Sequence, residues 1–228
     1  QMAEDVEQGA RARELMLAGV SHDLRTPLTR LRLALELLHS DAELTEDMVR
    51  DIEDMDAILD QFLAFIRDGR DEAPEQVDLG ALIHEVVAPY NQQQERLRLC
   101  LETMPPLPLR RVSIKRLLVN LIENALRYGG NGVEVAAYVS GSCGAPYVVL
   151  SVLDRGAGVD PAELDAIFNP FIRGDRARGG KGTGLGLAIV KRIAALHGGS
   201  VELRNRSGGG MEARVCLPIG LMLPRDAV

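Results

Sequence analysis

The stretch Asn120–Tyr128, "NLIENALRY", sets two asparagines and an arginine at i, i+4 and i+7. On a helix these three side chains, Asn120, Asn124 and Arg127, share one face. Two neutral oxygen ligands and a cation in a row suit a magnesium–polyphosphate. Read alone, the row is equally a polar face turned to solvent, so its neighbours must decide.

Downstream, "LDRGAG" ends an apolar run with Asp154, followed by Gly156 and Gly158. A carboxylate at a strand end can accept a hydrogen bond from an exocyclic amine, and glycines let backbone approach a ring closely. An ordinary Asp-Gly turn has the same letters. Further on, "GGKGTGLGLAIVKRI" carries glycines at 180, 182, 184 and 186 and runs into a helix, whose first N–H groups form an anion site. No strand precedes it, which excludes a dinucleotide-binding βαβ unit, and Lys181 is followed by glycine, which excludes a P-loop. The segment 169–182 is rich in glycine and charge, with Arg173, Arg176, Arg178 and Lys181. It reads as a lid that brings cations to phosphates, or as a plain flexible loop.

Around these motifs the pattern mixes helices and strands. Asp78 caps a helix through Val87, and Leu97, Leu99 and Leu101 alternate as a strand. Ser113 is placed to cap a helix running to Tyr128. "VEVAAYV" and "YVVLSVL" are strand-like, and Asp160-Pro161 with Glu163 reads as a helix start. A helix from Leu185 to His197 stops at Gly198-Gly199, and two strands flank the glycines at 208–210. The expectation is an α+β sandwich over residues 78–228, with helices on one face of a sheet.

The N-terminal part differs. Leu17, Leu24, Leu28, Leu31, Leu35 and Leu38, with Ser21 filling the first gap, then Met48, Ile52, Met55, Leu59, Phe62 and Ile66, keep the three- and four-residue steps of a coiled-coil seam. Two such helices across residues 1–70 make a hairpin with a seam but little core. A second copy completing a four-helix bundle buries the seam, so a homodimer is predicted. Residues 71–77 are polar, contain Pro74 and read as the linker.

Within the hairpin, "SHDLRTPL" (21–28) puts His22 outside the seam. Arg25 and Thr26 lie at i+3 and i+4, and Asp23 is adjacent. A ring with an ordinary pKa near 6.5 is mostly neutral at pH 7 and offers one nitrogen as a nucleophile. Pro27 lacks an N–H and crowds the carbonyl of Asp23, a defect costing about 3 kcal/mol inside a helix. Packing alone does not explain a bend one turn beyond a nucleophile.

Bulk composition narrows the classes. A net charge of −7 over 228 residues excludes the basic stripe that a nucleic-acid binder needs. No run of about 18 apolar residues spans a membrane. The three cysteines, Cys100, Cys143 and Cys216, lack metal spacing and read as reduced thiols of a cytosolic chain. The opening "QMAEDVEQGARARELML" lies mid-helix and reads as cut from something longer.

Taken in order, five segments resemble the H, N, G1, F and G2 boxes of the sensor histidine kinases of bacterial two-component systems. They are "SHDLRTPL", "NLIENALRY", "DRGAG", "FNPFIRGD" and "GKGTGLGLAIV", and the first and fourth look most like the EnvZ type. The resemblance implies a helical hairpin forming a dimeric four-helix bundle, followed by an α/β sandwich ATP-binding domain of the Bergerat type. It implies autophosphorylation of His22 from ATP and Mg²⁺, with Asp23 activating the ring. Phosphotransfer would follow to an OmpR-like response regulator receiver domain, and Thr26 would orient water for regulator dephosphorylation. Asn124, with Asn120 close by, would hold Mg²⁺, while Arg127 and Arg173 would contact phosphates. Tyr128 would pack on adenine, and Asp154 would read its amine beside Gly156 and Gly158. The segment Lys181, Gly182, Thr183, Gly184, Leu185 and Gly186 would shape the lid hinge beside the triphosphate. Membrane-spanning and sensing parts would lie upstream, making this the cytoplasmic portion of an inner-membrane protein. Arg155 and Ala157 depart from the usual pattern of the G1 box.

Two other readings share these motifs. A dimeric scaffold that binds nucleotide without chemistry needs His22 or Asn124 to be missing, and both are present. An ATPase of the same fold needs a glutamate where Asn120 stands.

Overall fold

The computed structural model describes residues 28, 29, 31, 48–50, 52, 53, 55, 56, 59, 72–92, 97–130, 132–141, 146–170, 172 and 184–219. Its chain divides into two compact units, residues 1–67 and 68–228. In the first, the described residues are helical, as the heptad steps predict. Leu28 and Ile52 are buried, whereas Leu31, Met48 and Met55 stay exposed in the single chain. His22, Asp23, Thr26, Pro27 and the hairpin turn lie outside the described residues.

The second unit runs β1 (Glu75–Val77), α1 (Leu79–Val87), a 3-10 turn (Ala88–Asn91), β2 (Leu97–Leu101), β3 (Leu107–Leu109) and α2 (Arg111–Tyr128). It continues with β4 (Val133–Ser140), β5 (Tyr147–Leu153), a second 3-10 turn (Ala166–Phe168), α3 (Gly186–Leu196), β6 (Ser200–Asn205) and β7 (Met211–Pro218). A five-stranded sheet has the order β2-β4-β5-β7-β6, and β1 pairs with β3 in a separate ribbon. Only β2–β4 is parallel in the large sheet; its other pairs are antiparallel.

Register explains the layers. Val135, Val152, Ala213 and Leu203 stand abreast, as do Ala137, Leu150 and Val215, and all are buried. Helices α2 and α3 cover this sheet. Helix α2 supplies Ile114, Leu117, Leu118, Leu121, Ile122 and Ala125, the i, i+3, i+4 stripe of a core-facing helix. The other sheet face carries the row Arg98, Glu134, Leu153, Glu212 and Arg204, charged at every strand but the central one. There Ser151 Oγ donates to Glu212 Oε1 at 2.8 Å. One dry face and one charged face is the usual economy of an antiparallel sheet.

Local signals in the sequence set several element ends. Asp78 Oδ1 accepts from Ala81 N at 3.0 Å at the start of α1. Helix α3 stops at Gly198, whose φ of +66° suits a residue without Cβ. Two expectations fail. Asp160-Pro161 opens no α-helix: Asp160 Oδ1 takes the N–H of Ala162 at 2.9 Å, an Asx turn, and a short 3-10 turn follows. Ser113 does not cap α2 either; it sits buried in the first turn, after an N-cap, Arg110, whose side chain makes no capping bond.

The cap comes from far away. The Glu72 carboxylate accepts from Val112 N at 2.6 Å, from Ser113 N at 3.0 Å and from Ser113 Oγ at 2.8 Å. A carboxylate at this end also meets the positive pole of the helix. The Arg110 guanidinium donates to the Glu72 carbonyl. Residues 75–77, expected as the end of a linker, form β1, with Val77 buried opposite Leu107.

His197 joins the same corner. Its Nδ1 lies 2.8 Å from the Ile193 carbonyl, and its Nε2 accepts from Arg110 N at 3.0 Å. A carbonyl only accepts and an N–H only donates, so Nδ1 carries the proton and the ring is neutral. Burial lowers its pKa, the Ile193 carbonyl opposes that shift, Arg110 adds to it and Glu72 opposes it.

Two outcomes follow. Glu72→Ala should remove about 1–2 kcal/mol, a fall in Tm of roughly 2–8 °C for a unit this size, with Glu72→Gln in between. For His197, the depressed folded pKa means the native state resists a proton that the unfolded chain accepts. Stability should therefore be level above pH about 6.5 and decline as pH falls below it. Urea melts across that range, repeated on His197→Gln, should show a shallower acid slope in the variant.

Candidate nucleotide site

Three segments from distant parts of the chain meet around helix α2. The first is α2 itself, on which Asn120 and Asn124 are half-buried and Arg127 and Tyr128 exposed. The Asn120 amide donates to the Arg116 carbonyl at 2.9 Å. Its Oδ1 faces the second segment: a Cβ placed on Gly186 would lie 3.0 Å from that oxygen. The N-terminal end of α3 thus abuts the asparagine row. Leu185 at the α3 N-cap is fully buried and makes no side-chain capping bond, and Gly184 holds φ +72°.

The third segment follows β5. Asp154 extends the ladder by one step, its N–H donating to the Met211 carbonyl at 2.9 Å. Its Oδ1 accepts from Gly156 N at 2.8 Å and from Met211 N at 3.1 Å. Both bonds fall on one oxygen, which leaves Oδ2 for a ligand N–H.

Glycines bring the segments into contact. A Cβ on Gly129 would lie 2.2 Å from the Asp154 Cβ, and one on Gly156 would lie 2.3 Å from the Tyr128 carbonyl. The C-terminal end of α2 therefore rests directly on the Asp154 loop. Gly156 answers to this backbone contact, which the expectation of a close ring approach did not include. Arg155, the departure from the usual pattern, is exposed and runs past Gly132, clear of this contact.

Of the residues expected at the site, the structure gathers Asn120, Asn124, Arg127, Tyr128, Asp154, Gly156, Gly158, Gly184, Leu185 and Gly186 along α2 and its two neighbouring segments. Arg173, Lys181, Gly182 and Thr183 lie outside the described residues, with most of the expected lid. Phe168, which opens the F-box segment, is buried and lies under Lys191 of α3, the ammonium 5.5 Å from the ring centre. Sequence reasoning missed Gly129, Asn205, Arg206 and Gly210; only the triple glycine at 208–210 hinted at a close approach.

The donor set fits a magnesium nucleotide. Amide oxygens are hard ligands of the kind Mg²⁺ takes beside phosphate oxygens, and Asp154 offers one tied and one available oxygen. Among the described residues no cluster of three His, Cys, Asp or Glu could hold a metal by itself.

Comparison with known proteins agrees with this arrangement. Residues 110–221 match the histidine kinase-, DNA gyrase B- and HSP90-like ATPase domain, and residues 12–70 match the His kinase A phospho-acceptor domain. The NMR structure of the histidine kinase domain of the E. coli osmosensor EnvZ is 33% identical, covers 68% of this chain and 95% of its own, and superposes with a TM-score of 0.51. The chain belongs to the sensor histidine kinases. The sensor histidine kinase GtrS of Pseudomonas aeruginosa is 37% identical over 95% of this chain and 44% of its own length. Full-length ShkA in complex with AMPPNP covers 90% of this chain and 45% of its own, at 26% identity and a TM-score of 0.69. The chain spans about half the length of the curated sensor kinases it matches.

The glycine contact makes a sharp contrast between neighbours. Gly129→Ala should cost about 3 kcal/mol, since the added Cβ meets the Asp154 Cβ and the Ala125 carbonyl, neither of which can swing aside. Gly130 has φ +67° with nothing within 4 Å of an added Cβ. Gly130→Asn should stay within about 1 kcal/mol of the parent, because asparagine tolerates that backbone. Thermal melts of the two variants check this.

Proposed function

We propose that this chain is the phospho-acceptor and catalytic portion of a dimeric sensor kinase that phosphorylates His22 from Mg-ATP. The observation that carries the reading is the meeting of the asparagine row of α2, the tied Asp154 carboxylate and the glycine-flanked start of α3. In this reading Asp154 Oδ2 takes the adenine amine and Tyr128 lies along the base. Asn124, with Asn120 close by, holds Mg²⁺, which neutralises phosphate charge when bound. Arg127, Arg173 and Lys181 face the phosphates, and the segment Gly182–Gly186 lies beside them.

Phosphoryl transfer asks mainly for in-line placement and charge neutralisation. A ring nitrogen of His22 uses its lone pair to form a bond to the γ-phosphorus. The bond from that phosphorus to the β,γ-bridging oxygen breaks, and ADP leaves with the electron pair. Asp23 accepts the hydrogen bond of the other ring nitrogen and stabilises the charge that develops. Asn120 cannot take a proton from water, so simple hydrolysis is slow and the phosphoryl group reaches His22. It then passes to an aspartate carboxylate of a response regulator receiver domain, and the ring returns to its neutral state. Thr26 orients the water that later removes phosphate from the regulator. The exposed Leu31, Met48 and Met55 support a second copy completing a four-helix bundle. Membrane anchoring belongs to a segment upstream; among the described residues no helix is long and apolar enough to cross a membrane.

Incubation with radiolabelled ATP and Mg²⁺ tests the reading. The parent chain should take up label that is acid-labile and absent from His22→Ala; equal labelling of both, or of neither, sinks it. Thr26→Ala should still label while dephosphorylating its regulator at least tenfold more slowly, roughly the range for loss of one positioning group.

A further inference from the structure

The loop from Asp154 to Val159 contains two glycines and no regular structure, yet it has to hold a carboxylate in one orientation. What fixes it is the turn between β6 and β7, some fifty residues on. At the loop's start, Arg206 Nη1 donates to the Asp154 carbonyl at 2.6 Å, and Met211 N donates to Asp154 Oδ1 at 3.1 Å. At its end, Asn205 pairs with Val159 in both directions: Val159 N donates to Asn205 Oδ1 at 3.0 Å, and Asn205 Nδ2 donates to the Val159 carbonyl at 2.6 Å.

The turn is itself closed. Arg206 N donates to the Gly210 carbonyl at 3.0 Å, and Gly209 N to the Arg206 carbonyl at 3.2 Å. Its fit against the loop leaves no room for side chains. A Cβ on Gly210 would lie 2.1 Å from the Asp154 carbonyl, and one on Gly158 would lie 2.5 Å from Asn205 Oδ1. Both glycines hold positive φ, +96° and +69°.

We propose that the β6–β7 turn, through Asn205 and Arg206, is the positioning element that sets the base selectivity of Asp154. The proposal rests on the reading of Asp154 as the residue that meets the base. Rotation of a carboxylate about its last torsion is broad unless donors fix it. Here Gly156 N and Met211 N hold Oδ1, while Arg206 and Asn205 hold the backbone on both sides. Oδ2 is thereby presented as a pure acceptor in one place. An adenine amine satisfies it; the carbonyl at the same position of guanine sets acceptor against acceptor and leaves both unpaired. Loosening the turn lets the carboxylate swing away, so adenine loses its bond and guanine loses its penalty. Arg206 and Asn205 touch no base in this account. They act through Asp154.

The test uses the full chain with Mg²⁺ and measures Kd for ATP and for GTP by competition, beside thermal melts and autophosphorylation kinetics. Arg206→Ala and Asn205→Ala should each weaken ATP binding about tenfold, leave GTP binding undiminished or tighten it, and raise KM for ATP with kcat nearly constant. Arg206→Lys, which keeps a donor, should recover part of the ATP preference. Should Arg206→Ala fail to fold, Arg206→Lys and Asn205→Ala carry the same comparison. Equal weakening of ATP and GTP, or an unchanged ratio, overturns the proposal and leaves the turn as plain scaffold. Asp154→Asn separates the two levels. If it leaves the ATP/GTP ratio untouched, the base-reading role of Asp154 fails; if it collapses the ratio while the turn variants do not, only the positioning role fails.

Discussion

Helix α2 reaches the end of β5 because residues 129 and 156 have no side chains. With a Cβ at either place the nearest heavy atom would stand 2.2–2.3 Å away, far inside contact distance. The close seating makes the asparagine row and the Asp154 carboxylate parts of one site. A side chain at either position would hold the C-terminal end of α2 away from the Asp154 loop, and in the proposed reading Tyr128 and Asp154 could then no longer meet the same base. The buried leucines of α2 provide most of the favourable free energy, at about 1.5–3 kcal/mol each. The glycines decide where along the sheet that energy is realised.

The opposite end of α2 is fixed by polar rather than apolar contact. Glu72 occupies its free N–H groups, Arg110 ties back to the Glu72 backbone, and His197 accepts the Arg110 N–H while its other nitrogen faces α3. The Glu72 carboxylate, the Arg110 backbone N–H and both His197 ring nitrogens are paired, and such pairing lets buried polar groups add order to a core. Glu72 stands just before β1, so the strand that enters the unit and the helix that carries the asparagines share one anchor. A displacement of that strand acts on the helix cap directly.

Much of this unit was legible because its signals are local. The cap at Asp78, the stop at Gly198-Gly199, the alternation in β4 and the short apolar run of β5 each depend on residues close together in the chain, which is the range over which periodicity and capping operate. The site row on α2 was legible for the same reason. What escaped reading depends on partners far along the chain. The cap of α2 comes from 40 residues upstream, so the search for a neighbouring Ser or Asp fell on Ser113. The staple at Val159 comes from 46 residues downstream. Asp160-Pro161 misled in the other direction: its letters fit a helix start, but the side chain closed on Ala162 and only a turn followed. A strong local signal lost to a shorter local bond.

In the proposed reading, the two ends of α2 divide the labour between selectivity and support. The C-terminal end faces a loop that is weak by composition, with Gly156, Ala157 and Gly158 in sequence, and is held by a turn that is also weak by composition, with Gly208, Gly209 and Gly210. Neither element has a core of its own. Each becomes definite only against the other, through Asp154, Val159, Asn205, Arg206 and Met211. Glycine is what permits the backbones to interlock, and it is also what makes the unlocked state entropically favourable. In that reading, a base that bonds to Asp154 meets a loop whose order already depends on hydrogen bonds made elsewhere. Losing one of those bonds costs little of the fold and much of the orientation.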